Sequence, residues 1–342
     1  MRLTQVQQVE AGQDFTVGRF RPEDAAGVAG LFLSVYGDGY PQKQYYDPEW
    51  LIAANASNEV ASVVARTAKG DIVSHMAVYR GAAPNPRLYE LGIGLTLPQY
   101  RGRQAAGVIA GHLVKLLPSL GLEGAFGEAV CNHTVTQKIA SAAGFAGTAV
   151  EVDLMPAGIY GTEKGAVGRV TCLFSFLPLN DPPQTLYVPE IHQEPIRFIL
   201  EGMPEGRTME PAALTPQRAG SRVTSKIFDF ASVSRCQVMA CGEDIAAVLE
   251  GVEHEASAKS CTTRQVFLAL ADPGVGGAAA FLRGKGYFLG GIVPRWFEDG
   301  DGLLLQRLMH PPGFSQVKLC DDRARHLLAL VEAGWRAVNG AA

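Results

Sequence analysis

Leu95-Thr-Leu-Pro-Gln-Tyr-Arg-Gly-Arg-Gln-Ala-Ala-Gly-Val-Ile-Ala-Gly-His-Leu-Val-Lys-Leu-Leu117 joins two kinds of periodicity. An apolar run stops at Pro98, a short Arg/Gly patch follows, and Ile109, Leu113, Leu116 and Leu117 then recur at i, i+4, i+7 and i+8. That spacing predicts a helix with one apolar face, ended by Pro118 and Gly121. A strand, a tight turn and a helix start leave the first helical N–H groups without intrahelical partners, at the positive end of the helix dipole. A phosphate can sit there if the backbone can be approached closely, and Gly102, Ala105, Ala106 and Gly107 are small enough to allow it. Arg101 and Arg103 add charged donors at the same tip. A surface turn with two solvated arginines is the plainer reading of the same residues.

Outward from this stretch, alternating and helical patterns predict a strand from Thr16, a helix over 22–35, and a short helix over 49–54. A hairpin follows over 60–67 and 72–79, then strands at 88–97 and 124–131, a helix at 135–143, and strands at 148–155 and 170–177 around a Gly-rich loop at 158–168. This order predicts a mixed α/β domain. Asn180-Asp-Pro-Pro-Gln marks a joint, so the domains are placed at 1–179 and 180–342. The second half reads as a helix at 190–201, a polar link at 204–219, a strand at 223–240, a helix at 242–257 and a strand at 265–271. A helix at 275–284, strands at 286–293 and 302–309, and a final helix at 321–338 complete it. Val130–Phe145 and Leu270–Tyr287 share one plan of strand end, loop, helix and Gly-aromatic, which suggests two related domains.

The whole-chain numbers exclude several classes. The 342 residues are 47% apolar and 19% charged, an ordinary globular balance for two domains. Thirty basic against 34 acidic side chains give a formal charge of −4, with no basic stripe, so no nucleic-acid partner is expected. No run approaches the ~20 apolar residues of a membrane span, and Met1–Glu10 lacks the apolar core of a signal peptide. The six cysteines are scattered without zinc-like spacing, which points to reduced thiols, no metal, and a soluble cytoplasmic protein.

The residues after the bend resemble the GNAT superfamily of N-acetyltransferases over about 14–180. In that family the pyrophosphate of acetyl-CoA rests on an R/Q-x-x-G-x-G/A loop. Here Arg101 fills the first place, Gln104 stands where Gly is usual, and Ala106 fills the last. The likeness continues in Val63–His75, Glu128–Lys138 and Gly144-Phe145, and is similar to a bacterial subgroup with an H-x-x-S/T-Q-K segment, filled by His133, Thr136, Gln137 and Lys138. It implies two tandem GNAT-like domains, each a mostly antiparallel mixed sheet flanked by helices, the second degenerate and lacking the loop. It also implies acetyl-CoA as acyl donor, held by Leu95, Leu97, Arg101, Gly102, Arg103, Gln104, Ala105, Ala106, Asn132 and Gln137.

Such a site needs a base for the amine, donors for the carbonyl oxygen and an acid for the thiolate. Backbone N–H groups near Gly92–Leu95 are candidates for the donors, and Glu90 and Glu128 for the base. The tyrosine that many family members use as acid is replaced by Ala140, so Tyr45, Tyr40, His133 or water would act instead. Tyr36–Tyr46, with four tyrosines, reads as a substrate-facing lid or as a packed loop; His75 reads as structural. The acceptor is expected to be a primary amine, small molecule or peptide, and the oligomeric state is open. A non-catalytic acyl-CoA-binding or regulatory module is the alternative, and an interaction scaffold a third.

Overall fold

Val60-Ala-Ser-Val-Val-Ala-Arg-Thr and the run from Ile72 are joined by only four residues, so they pair antiparallel from Val60↔Tyr79 to Arg66↔Ile72. The computed structural model containing this hairpin describes residues 8–160 and 168–340. The first seven residues and most of the Gly-rich loop at 158–168 therefore lie outside the described residues.

The chain divides into two compact units, one running to Gly127 and taking in Ile139–Gly144, the other holding Glu128–Lys138 and continuing from Phe145. In chain order the first segment supplies β1 (Phe15–Arg19), α1 (Ala25–Tyr36), α2 (Pro48–Ala56), β2 (Val60–Thr67), β3 (Ile72–Arg80), β4 (Leu88–Thr96) and α3 (Ala105–Leu116). Then come β5 (Gly124–Val130) and α4 (Val135–Ala142), whose residues are shared between the units. In the first unit the strand order is β1-β2-β3-β4-β5, antiparallel except for a short parallel pairing of β4 with β5. Helix α3 packs on β1, β2 and β3, α1 on β3 and β4, and α2 on β2. The apolar face expected for α3 is the buried one: Ile109 and Leu113 are fully enclosed.

The second unit contains β6 (Ala146–Pro156), β7 (Arg169–Pro178), β8 (Gln184–Val188), α5 (Gln193–Leu200), β9 (Arg207–Pro211), β10 (Arg222–Phe228) and β11 (Val233–Ala240). It continues with α6 (Ile245–Ala258), β12 (Thr263–Ala269), α7 (Val275–Gly284), β13 (Phe288–Phe297), β14 (Gly300–Leu308) and α8 (Asp322–Asn339). Its main sheet runs β7-β6-β13-β14-β12-β11-β10, and β11–β12 is its one parallel pair. Strands β6 and β13 meet at Gly291↔Ala149. A side chain at Gly291 would place its Cβ 2.3 Å from the Thr148 carbonyl at φ +139, so only glycine lets the strands approach. Trp296 is wholly buried, stacked on Phe267 (4.6 Å between centroids, 9°) and edge-on to Phe174. It is a core residue of this unit.

The mixed α/β class and the mostly antiparallel sheets flanked by helices are as expected. Strands β6 and β7, which the sequence reading put in the first domain, pack in the second unit. The single strand expected at 223–240 is two, because Asp229–Ala231 turns and Ser232 adopts a left-handed φ of +52. Strands β8 and β9 form a separate parallel pair, β8 starting at the last residue of the stretch read as a joint and β9 lying within the polar link.

Each unit holds one like run of three strands: β3 is antiparallel to β4 and β4 parallel to β5, as β10 is antiparallel to β11 and β11 parallel to β12.

Candidate active site

Strand β4 pairs with β5 only through Leu88↔Gly124, Tyr89↔Ala125 and Glu90↔Phe126. From there to Thr96 it is held by β3, and that pairing is itself interrupted. His75 faces Leu95 and Ala77 faces Gly92, so two residues of β4, Ile93 and Gly94, stand opposite the single Met76. This is a β-bulge, and it puts Ile93 at φ +54. A β-branched residue in the left-handed region is a real outlier that costs on the order of 1–3 kcal/mol. Packing of its side chain with Trp50 and Tyr79 against Ala54, Val60 and Ala77 helps to retain it.

The chain then passes Pro98–Tyr100 and enters α3 through two more left-handed residues, Gly102 (φ +81) and Gln104 (φ +60). Gln104 is the N-cap residue and its side chain does not cap the helix. The first backbone bond of the helix runs from Val108 N to Gln104 O at 3.1 Å. The amides of Ala105, Ala106 and Gly107 have no acceptor among the described residues. Gly102 and Gly107 have open space where a side chain would begin. Arg101 is exposed and makes one long contact, Nε to Thr96 O at 3.4 Å. Arg103 is committed elsewhere: it donates to Gln13 O (2.7 Å), faces Asp14 (3.5 Å) and lies over the rings of Phe15 and Tyr100. Of the two arginines expected at the tip, Arg101 is the one available to an anion. Leu95 and Leu97 are buried, and Leu97 N is bonded to Val73 O, so these residues hold β4 in place.

Glu90 lies beside the point where β4 and β5 separate, accepting a hydrogen bond from the Tyr79 hydroxyl. Its negative charge also adds to the upward push on the phenols of Tyr40 and Tyr45, for which burial is the main cause. Tyr45 is enclosed, stacked on Phe32 (5.0 Å, 18°) and edge-on to Trp50. Tyr46 is equally buried, and its hydroxyl accepts from Tyr40 N. The tyrosine-rich segment is thus chiefly packing on α1 rather than a lid, and Tyr45 is a core ring that keeps its proton.

The candidates in the second unit are bound to that unit's own structure. Glu128 accepts from Arg235 Nη2 (3.0 Å), and the same guanidinium donates to Glu151 (2.9 Å) and Gln265 (2.7 Å). Gln137 is buried; its amide nitrogen donates to the carbonyls of Val130, His133 and Lys318, and its oxygen accepts from Cys320 N. Both ends of the amide are engaged by the chain, so its expected ligand role gives way to a structural one. His133 Nδ1 accepts from Val135 N (3.3 Å), a contact at the start of α4. Asn132 differs, since its Oδ1 is buried with no donor among the described residues.

His75, expected to be structural, reaches the bulge. His75, almost wholly buried, makes a 3.0 Å hydrogen bond from Nδ1 to the Ile93 carbonyl at the bulge, and one of 3.0 Å between Nε2 and Ser62 Oγ. A carbonyl only accepts, so Nδ1 carries the proton and Ser62 donates to Nε2. Burial lowers its pKa to about 4, which keeps the ring neutral near pH 7. The sequence signal available was a histidine on the strand before a Gly-x-Gly strand.

In the corresponding turn of the second unit, from β11 into α6, the amides ahead of the N-cap Asp244 are taken by the chain. Cys241 N donates to Asp272 Oδ2 (2.7 Å), Gly242 N to Ser221 Oγ (2.8 Å) and Glu243 N to Arg218 O (2.9 Å). A Cβ on Gly242 would lie 2.3 Å from the Gly220 backbone, and β11 has no left-handed residue. The Gly-rich start of α7 is likewise covered, with the carbonyls of Ala213 and Leu214 at 2.6 and 2.3 Å from where side chains on Gly276 and Gly277 would begin.

No family model and no curated protein matches the chain. Solved structures with partial similarity include the ribosomal-protein-S5-alanine acetyltransferase of Vibrio fischeri (12% identity, TM-score 0.38, 51% of this chain and 97% of that one). A GNAT-superfamily phosphinothricin acetyltransferase of Sinorhizobium meliloti, solved in complex with AcCoA, is 17% identical with a TM-score of 0.39 over 48% of this chain and 88% of its own. A spermidine/spermine N-acetyltransferase of Vibrio cholerae is 13% identical, TM-score 0.36, over 48% and 95%.

Proposed function

We propose that this protein is an acyl-CoA-dependent N-acyltransferase that moves an acetyl group from acetyl-CoA to a primary amine. The observation that carries the reading is the open start of α3: amides 105–107 without acceptors among the described residues, entered through left-handed Gly102 and Gln104, beside an available Arg101 and behind a bulged strand. A diphosphate is the natural occupant of such a turn. Residues 1–179 would hold the cofactor site and 180–342 a related domain whose own turn is filled by its chain.

In this reading Glu90 takes the proton of the acceptor ammonium, directly or through a water, and Tyr79 orients the carboxylate. The neutral amine attacks the thioester carbon, the C–N bond forms, and backbone N–H groups of the β4 bulge receive the developing oxyanion. As the C–S bond breaks, the intermediate's nitrogen gives its second proton to water and the thiolate takes one from water, because Tyr45 is buried and Ala140 supplies none. The acceptor is a small-molecule or peptide amine. The missing tyrosine acid favours a second reading, a non-catalytic acyl-CoA-binding module, which the release of free CoA with a panel of amines separates from the first.

Calorimetric titration of acetyl-CoA into wild type and Arg101→Glu tests the site. Reversal of a charge against a diphosphate should weaken binding at least about tenfold. Failure of wild type to bind would reduce 101–107 to a turn and remove the transferase reading.

A further inference from the structure

The bulge in β4 is strained by itself. Ile93 holds a left-handed backbone that its branched side chain disfavours, so something must hold the peptide that follows. Its side chain is fixed through the apolar cluster around Trp50 and Tyr79. Its carbonyl is fixed through His75 Nδ1 at 3.0 Å. The ring is in turn anchored by Ser62 of β2, which sits opposite Ala77 while His75 sits opposite Val64, so the clamp crosses three strands diagonally. The edge of the ring also meets Phe32 of α1 (5.9 Å, 61°). Ser62 is wholly buried, and its backbone N–H donates to Asn55 Oδ1 of α2 at 2.9 Å.

An ordinary β-ladder would not need this. Where a strand is regular, a carbonyl is satisfied by the backbone of its neighbour; here a side chain from the neighbouring strand has taken that place. The second unit shows the contrast, because β11, which occupies the matching position, has no left-handed residue.

We infer that His75 is a positioning residue, a neutral clamp that sets the direction of the β4 amides 93–95 by holding the Ile93 carbonyl. The inference rests on the proposed transfer reaction, in which those amides receive the oxyanion. His75 touches neither substrate. It acts through the bulge, so its loss should lower turnover while leaving acetyl-CoA affinity, which is set at the start of α3, nearly unchanged.

Two amides separate this role from simple packing. Asn at position 75 offers a donor close to where Nδ1 stands, and Gln offers one close to Nε2. Steady-state kinetics of wild type, His75→Asn and His75→Gln should show kcat near wild type for Asn and reduced about tenfold to a hundredfold for Gln, with KM for acetyl-CoA little changed in both. The backbone carbonyl chemical shift of Ile93, which reports the hydrogen bond without turnover, should be kept in His75→Asn and displaced in His75→Gln. Ser62→Ala, which frees the far side of the ring, should give an intermediate kcat if His75→Gln folds poorly. Equal kcat in wild type, His75→Gln and Ser62→Ala would overturn the clamp, as would equal losses in His75→Asn and His75→Gln. An inactive wild type sinks the transfer reaction and the clamp's catalytic role together, whereas an active wild type with an unaffected His75→Gln sinks this inference alone.

Discussion

Replacing Gln104 by glycine should stabilise the protein, against the usual effect of glycine next to a helix. Gln104 stands at φ +60, ψ 7, immediately before α3. For an L-residue that conformation costs roughly 1–2 kcal/mol, and glycine removes the cost. Glycine also loosens the unfolded chain, which takes back about 0.5–1 kcal/mol. The net expectation is a gain of about 0.5–1 kcal/mol, read as a higher urea midpoint at unchanged m. Gln104→Val is the opposite perturbation, because a branched side chain resists the left-handed region most; it should lower the midpoint by more than about 1 kcal/mol and weaken acetyl-CoA in calorimetry as the turn opens. Destabilisation by glycine, or neutrality of valine, would refute the geometry of the turn. A valine variant that loses stability yet binds acetyl-CoA like wild type would refute its use as the diphosphate seat.

Acid should weaken the fold through His75 and His192, both pushed down to about 4 by burial. The folded protein then binds fewer protons than the unfolded chain between pH 4 and 6.5, so stability is present above about 6.5 and is lost as pH falls toward 4, up to about 3 kcal/mol for each ring; urea midpoints against pH should lose part of this slope in His75→Asn. Glu90→Gln should reduce kcat about 10²–10⁴-fold and abolish the acidic limb of the rate profile while leaving acetyl-CoA affinity alone, and an unchanged limb would remove Glu90 as base. Gln137→Leu should cost about 2 kcal/mol or more by orphaning the carbonyls and the Cys320 amide it serves, with no change in acetyl-CoA affinity of the folded variant. A weakened affinity there would restore Gln137 to the ligand set.

What could be read in advance follows from how local each signal is. The amphipathic face of α3 and the hairpin β2–β3 are short-range patterns, and the residues that carry them are buried as the patterns require. The turn at 101–104 was also legible, because small residues and a helix start within one stretch need no distant partner. Arg103 was not separable from Arg101: the difference lies in Gln13, Asp14 and Phe15, far back in the chain. Glu128 and Gln137 looked available for the same reason, their partners being Arg235 and residues 318–320. The bulge at Ile93 has no sequence mark of its own, since an isoleucine does not announce a left-handed backbone. Strands β8 and β9 escaped because each is five residues long and ends beside or within proline-containing stretches.

The closed turn at α6 has a meaning beyond its own stability. Arg218 O and Ser221 Oγ sit on the two amides ahead of the α6 N-cap, whose counterparts at Gly102 and Arg103 meet no acceptor among the described residues. They are in effect a ligand tethered by a single short segment, present at an effective concentration that no free phosphate in solution can match. The α6 turn thus carries its acceptors within its own chain. A turn built this way is held in shape whatever the solution contains.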